Sequence, residues 1–168
     1  MTTDIALKGI PISTEEMANM LFAATQEVFT SMLGSELRQL PEPPAEQSGS
    51  FDGVLSLVGL AGSLIGNGSL ACTAEAACEM SSRLLMTEFK NVDDEVLDAL
   101  GEIANMVVGG FKNLLEPTVG RLQISIPSVI YGKNIATRDA KAGVALGVCC
   151  GFAGGEFAVK VRLAPARE

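Results

Sequence analysis

Residues 143–163, GVALGVCCGFAGGEFAVKVRL, read as two strands and a turn. In 155–163 (GEFAVKVRL) the residues Phe157, Val159, Val161 and Leu163 alternate with Lys160 and Arg162. That period of two belongs to a strand with one buried and one wetted face. The preceding run, 143–152 (GVALGVCCGF), is apolar enough for a strand, and Ala153-Gly154-Gly155 supplies a tight hairpin between the two. A short turn can join antiparallel strands only, because a parallel pair needs a crossover of about a dozen residues or more.

Upstream, 121–131 (RLQISIPSVIY) reads as a further strand, with Pro127 suited to an edge or a bulge. Before it a long helix opens at Asp93, Asp94 and Glu95, and Pro117 predicts its end at Glu116. A shorter helix is expected over 74–87. Residues 51–58 and 68–73 read as strands joined through a glycine-rich connection with a turn at Asn67-Gly68. The first helix, 15–33, is capped by Ser13 or Thr14 and stopped at Gly34, with Glu15 and Glu16 in its opening turn. PEPPAEQSGS (41–50) is the one linker-like stretch, too short to separate two domains. The order helix, two strands, helix, helix, strands predicts an α+β fold, with helices on one face of an antiparallel sheet. One domain over 1–168 fits the length, which suffices for a sizeable core. Glu16-Met-Ala-Asn19-Met echoes Glu102-Ile-Ala-Asn105-Met, which suggests a duplicated half-domain.

Composition narrows the chemistry. The chain has no histidine, which removes the commonest general base, the commonest metal ligand and every Ser-His-Asp or Cys-His scheme. Cys72, Cys78, Cys149 and Cys150 include no C-x-x-C pair, so reduced core thiols are expected and a thiolate metal site is not. The formal charge is −8, against the basic footprint of a nucleic-acid binder. The sign is uneven: residues 1–116 carry −12 and 117–168 carry +4. MTTDIALKGIP lacks the layout of a signal peptide, and no apolar run nears the roughly 18 residues of a membrane span, so a cytoplasmic protein without membrane insertion is expected.

The long helix carries the polar constellation. With Asp98 at zero and about 100° per residue, Glu102 lies near +40°, Asn105 near −20° and Gly109 near +20°. Val96, Leu100, Ile103, Val107 and Leu114 gather at the opposite pole, flanked by Leu97, Ala104 and Leu115. A solvated polar face accounts for this periodicity equally well. The residue types argue for more. A face chosen for solubility favours Glu–Lys pairs, whereas here an asparagine sits mid-helix and Gly109-Gly110 follows one turn later. Two such glycines cost roughly 2 kcal/mol against alanines, as if something approaches this face closely.

The segment DALGEIANMVVGGFKNLL (98–115) resembles the signature helix of the CheX/CheC/FliY phosphatases of bacterial chemotaxis, whose pattern is Asp or Ser, three residues, Glu, two residues, Asn. Asp98, Glu102 and Asn105 match it. VFTSMLG (28–34), VGLAGSLIG (58–66) and PSVIYGKN (127–134) resemble the CheX members in particular, so the likeness covers nearly the whole chain. The resemblance implies a phosphatase acting on the phospho-aspartate of a CheY-type response regulator. The Mg²⁺ would be the regulator's, with no cofactor of this chain's own. It implies that Asn105 orients the attacking water and that Glu102 pairs with the regulator's lysine. Asp98 and Gly109 would be partner-binding positions, and the assembly a homodimer. A non-catalytic module binding a regulator or flagellar-switch component is the alternative, and a regulator outside chemotaxis a third. CheC-like chains carry the motif on both corresponding helices. Here Glu16 and Asn19 keep the spacing, but Ile12 and Ala23 stand where Asp or Ser and Gly would fall, so a second active pair is not the expectation.

Overall fold

The computed structural model describes residues 12–41, 50–138 and 143–166. The reading of the N-terminal residues, and most of the proline-rich linker, lie outside them. Three helices, α1 (Thr14–Met32), α2 (Ala74–Leu85) and α3 (Asp94–Val119), pack on a seven-stranded antiparallel sheet. The strands are β1 (Arg38–Leu40), β2 (Phe51–Gly62), β3 (Leu64–Cys72), β4 (Leu122–Ile124), β5 (Ser128–Ile135), β6 (Val144–Phe152) and β7 (Gly155–Pro165). The expected α+β architecture is therefore observed.

The strands run β1-β6-β7-β3-β2-β4, with β5 also on the outer side of β2. Exchanging the two halves of the chain turns this order into its own reverse. Each half supplies a long helix, a short edge strand and a long hairpin, with α2 and β5 additional to this repeat, and β3 and β7 meet at the centre. A Cβ placed on Gly110 of α3 would lie 3.4 Å from Ala24 Cβ of α1. Those positions are 86 residues apart, the offset that relates Glu16 to Glu102. The sequence echo thus has a structural counterpart: the paired helices cross at corresponding residues.

The core is built from both halves. Phe29 of α1 stacks on Phe157 at 4.6 Å between ring centroids and meets Phe152 edge-on at 5.5 Å. Val96, Leu100, Ile103, Val107, Phe111 and Leu115 of α3 are buried. Ser13 caps α1, with Glu16 closing a reciprocal capping box. Gly34 follows α1 in the left-handed region that lets the chain turn away.

Four expectations are corrected. Asn67-Gly68 is no turn: both lie inside β3, and the β2–β3 turn falls at Ser63 beside Gly62. The glycine serves packing instead, since a Cβ at Gly68 would stand 2.6 Å from Val108 Cγ2. Helix α3 runs through Pro117 to Val119. The Glu116 carboxylate holds that end, accepting from Lys112 Nζ at 2.7 Å and from the Leu122 N–H at 3.2 Å. Leu114 is 45% exposed rather than buried, one turn past the crossing with α1. The stretch 121–131 is broken: β4 and β5 lie along the same edge of β2, and Pro127 sits in the gap. Strand β1, three residues on the opposite edge, has no clear sequence signal.

Candidate functional site

Helix α3 begins at an aspartate cap, with the Asp93 carboxylate accepting from the Val96 N–H at 2.9 Å. Its apolar residues seat it on the sheet and against α1 and α2, with Ser81 Oγ donating to the Val96 carbonyl at 3.4 Å. That packing leaves the opposite stripe uncovered. Asp98 and Glu102 are exposed, and Asn105 and Gly109 are half-buried. The four residues singled out from the sequence therefore share one accessible strip. Among the described residues the ion pairs are Arg83–Glu79, Lys90–Glu88 and Lys112–Glu116, so neither Asp98 nor Glu102 belongs to one.

Asn105 is half-buried because of what runs beside it. Gly101, Asn105 and Gly109 form one ridge of α3, each four residues from the next. A Cβ on Gly101 would lie 3.2 Å from Val129 Cγ2 and 3.3 Å from Pro127 Cγ. One on Gly109 would lie 3.5 Å from Ile124 Cδ1. The segment 124–127 thus passes along this ridge, antiparallel to the helix and level with Asn105. The asparagine is the one side chain on the ridge between two glycines. Gly101 was not among the residues singled out from the sequence, though its place on the ridge could have been found with the same helical wheel that found Gly109.

Where α3 starts, the gap between helix and sheet edge opens into a cleft of about 450 Å³. Leu97, Gly101, Pro127 and Val129 give it apolar and glycine walls, and Asp94 and Asp98 give it carboxylates. Asp98 is therefore placed both on the stripe and in this cleft. Nothing in the sequence announces the cleft, because Pro127 and Val129 come from a strand edge that folding brings alongside.

The second helix motif is not equivalent. Glu16 Oε2 accepts from the Ser13 N–H at 3.0 Å, and its own N–H donates to Ser13 Oγ at 3.1 Å. Its carboxylate is engaged in capping, and Asn19 is exposed. Among the described residues no group of three or more His, Cys, Asp or Glu is placed to hold a metal ion. The four cysteines are unbridged. Burial, helped by the neighbouring thiols of Cys78 and Cys149, pushes Cys72 and Cys150 up to about 12. These groups stay protonated at neutral pH and serve as packing. No helix is long and apolar enough to cross a membrane among the described residues.

The model of the chemotaxis phosphatase CheX family matches residues 54–150, more than half of the chain, including the whole exposed stripe of α3. This protein belongs to the CheX family. It is 22% identical over 124 residues to the CheY-P phosphatase CheX of Thermotoga maritima, covering 73% of this chain and 80% of that one. The fold matches chemotaxis protein CheX of Vibrio vulnificus with a TM-score of 0.76 and 25% identity, over 90% of this chain and 99% of the other. It also matches a chain of the CheX-CheY-BeF3-Mg²⁺ complex of Borrelia burgdorferi, with a TM-score of 0.72 and 26% identity, over 87% and 96% of the two chains.

Proposed function

We propose that this CheX-family protein hydrolyses the phospho-aspartate of a CheY-type response regulator in the cytoplasm, using the exposed stripe of α3. One observation carries the reading: Asn105 lies on an accessible strip of α3 between the exposed Glu102 and the half-buried Gly109, where the glycine has no side chain to hold a partner off. A partner surface can close over the exposed stripe at Glu102, Asn105 and Gly109 and receive the carboxamide. In-line attack on phosphorus through a loose transition state demands positioning of a water more than a strong base. An amide can do this by accepting one water proton and turning the oxygen lone pair towards phosphorus. The Mg²⁺ and the acyl phosphate belong to the regulator. The exposed Glu102, one turn earlier, pairs with a lysine of the regulator and fixes the register of docking, with Asp98 and Gly109 as further contacts.

The test is phosphate release from the phosphorylated regulators of the same cell. The wild type accelerates it, and Asn105→Ala loses roughly a hundredfold or more while still binding the regulator. Glu102→Ala weakens association by about 1–3 kcal/mol, and added salt weakens the wild type too. Asn105→Ala at full activity with an intact fold sinks the water-positioning role and moves the non-catalytic binding module ahead. We further propose a homodimer. The outer edge of β5, which pairs only with β2 among the described strands and exposes Ile130 and Tyr131, is its place.

A further inference from the structure

We propose that Ile126 is an apolar anchor for the response regulator, pressed against the regulator's surface beside its phosphorylation site while Asn105 enters it; this rests on the phosphatase reading above. Ile126 is 87% exposed, whereas its neighbours Ile124 and Pro127 turn in to α3 at Gly109 and Gly101. It therefore stands on the same rim as the stripe, level with Asn105. The corner that carries it is fixed. The Ser125 N–H donates to the Gly59 carbonyl at 2.9 Å, and the Gly59 N–H donates to Ser125 Oγ at 2.8 Å. Ser125 Oγ in turn donates to the carbonyl of Ile126 itself at 2.9 Å. Pro127 restrains the backbone on the other side.

A large aliphatic side chain held out on a braced corner loses little freedom when it is covered, so its burial adds to affinity nearly undiminished. Its place selects the occupant. A regulator that closes on the exposed stripe at Asn105 must also meet the segment 124–127 that flanks it. The partner surface this fits is an apolar hollow next to the acyl phosphate, with cationic side chains facing Asp94 and Asp98 in the adjoining cleft. Ile130 and Tyr131, by contrast, lie within β5 and belong to the edge assigned to the second copy.

The experiment is steady-state phosphate release at varied concentrations of the phosphorylated regulator, with titration of the beryllofluoride-activated regulator as a binding readout independent of turnover. Ile126→Ser is expected to raise KM and Kd by roughly 10- to 100-fold, the span that full burial of an isoleucine covers, with kcat unchanged. Ile126→Leu restores most of the loss. Circular dichroism confirms that the variants are folded, as an exposed side chain permits. An unchanged Kd for Ile126→Ser overturns the anchor. So does a loss of dimer mass in light scattering, which would make a second copy the occupant. A wild type that binds the regulator but releases no phosphate overturns the phosphatase reading instead, and the Kd of Ile126→Ser then decides the anchor on its own.

Discussion

Gly109 has room for a methyl group. The nearest atom to a Cβ built there is Ile124 Cδ1 at 3.5 Å, an ordinary contact. Internal packing therefore does not require glycine at this position, and helix propensity argues against it. Gly109→Ala is expected to stabilise the fold by about 0.5–1 kcal/mol, read as a raised denaturation midpoint, while lowering affinity for the phosphorylated regulator. Stabilisation with undiminished affinity would show that no partner approaches there. The buried thiols make a different prediction at the same scale. Cys72 and Cys150 have folded values near 12, above an ordinary 9.0. The fold favours the protonated form, so their contribution is complete below about pH 9 and is lost as pH rises from there towards about 12. The urea midpoint should fall over that window, and less steeply in a Cys72→Ala/Cys150→Ala variant.

At the scale of elements, Gly68 separates what the sequence tells from what it conceals. Asn-Gly is a strong local turn signal, but it lost to a long-range demand: α3 descends onto β3, and only glycine leaves space for Val108. Gly68→Ala should accordingly destabilise by about 1–3 kcal/mol, measured by urea unfolding, with the loss relieved in a Val108→Ala background. Pro117 misled for a local reason instead, since the two hydrogen bonds of the Glu116 carboxylate sustain one more turn. Local chemistry did reveal the helices, the alternation of 155–163 and the capping of α1, each set within a few neighbouring residues. It also revealed the stripe, because Asp98, Glu102, Asn105 and Gly109 share one helix face by spacing alone. The cleft and the corner at Ser125–Pro127 were out of reach, since the cleft arises where a strand edge meets α3 and the corner is braced by Gly59 of β2, 66 residues away in sequence.

At the scale of the whole molecule, the outer edge of β5, unpaired among the described strands, bears on the oligomer. Light scattering at micromolar concentration should give about twice the 17.5 kDa of the chain. Tyr131→Asp is expected to give monomers, since Tyr131 is 52% exposed and a carboxylate there would face its own copy across the edge. A dimer that survives the substitution would put the contact elsewhere. The reversible strand order has a further consequence, for the making of the protein. The edge strand β1 pairs with β6 of the other half, and β4 and β5 pair with β2 of the first. Each half is thus clasped by a strand it does not own. While the chain emerges from the ribosome, the described residues up to 90 hold a hairpin and an edge strand that do not pair with each other. The ridge around Asn105 gains its flank only after residue 127 is free. A chain released before residue 127 therefore lacks the flank of that surface and is poorly equipped to compete with a longer one for its partner.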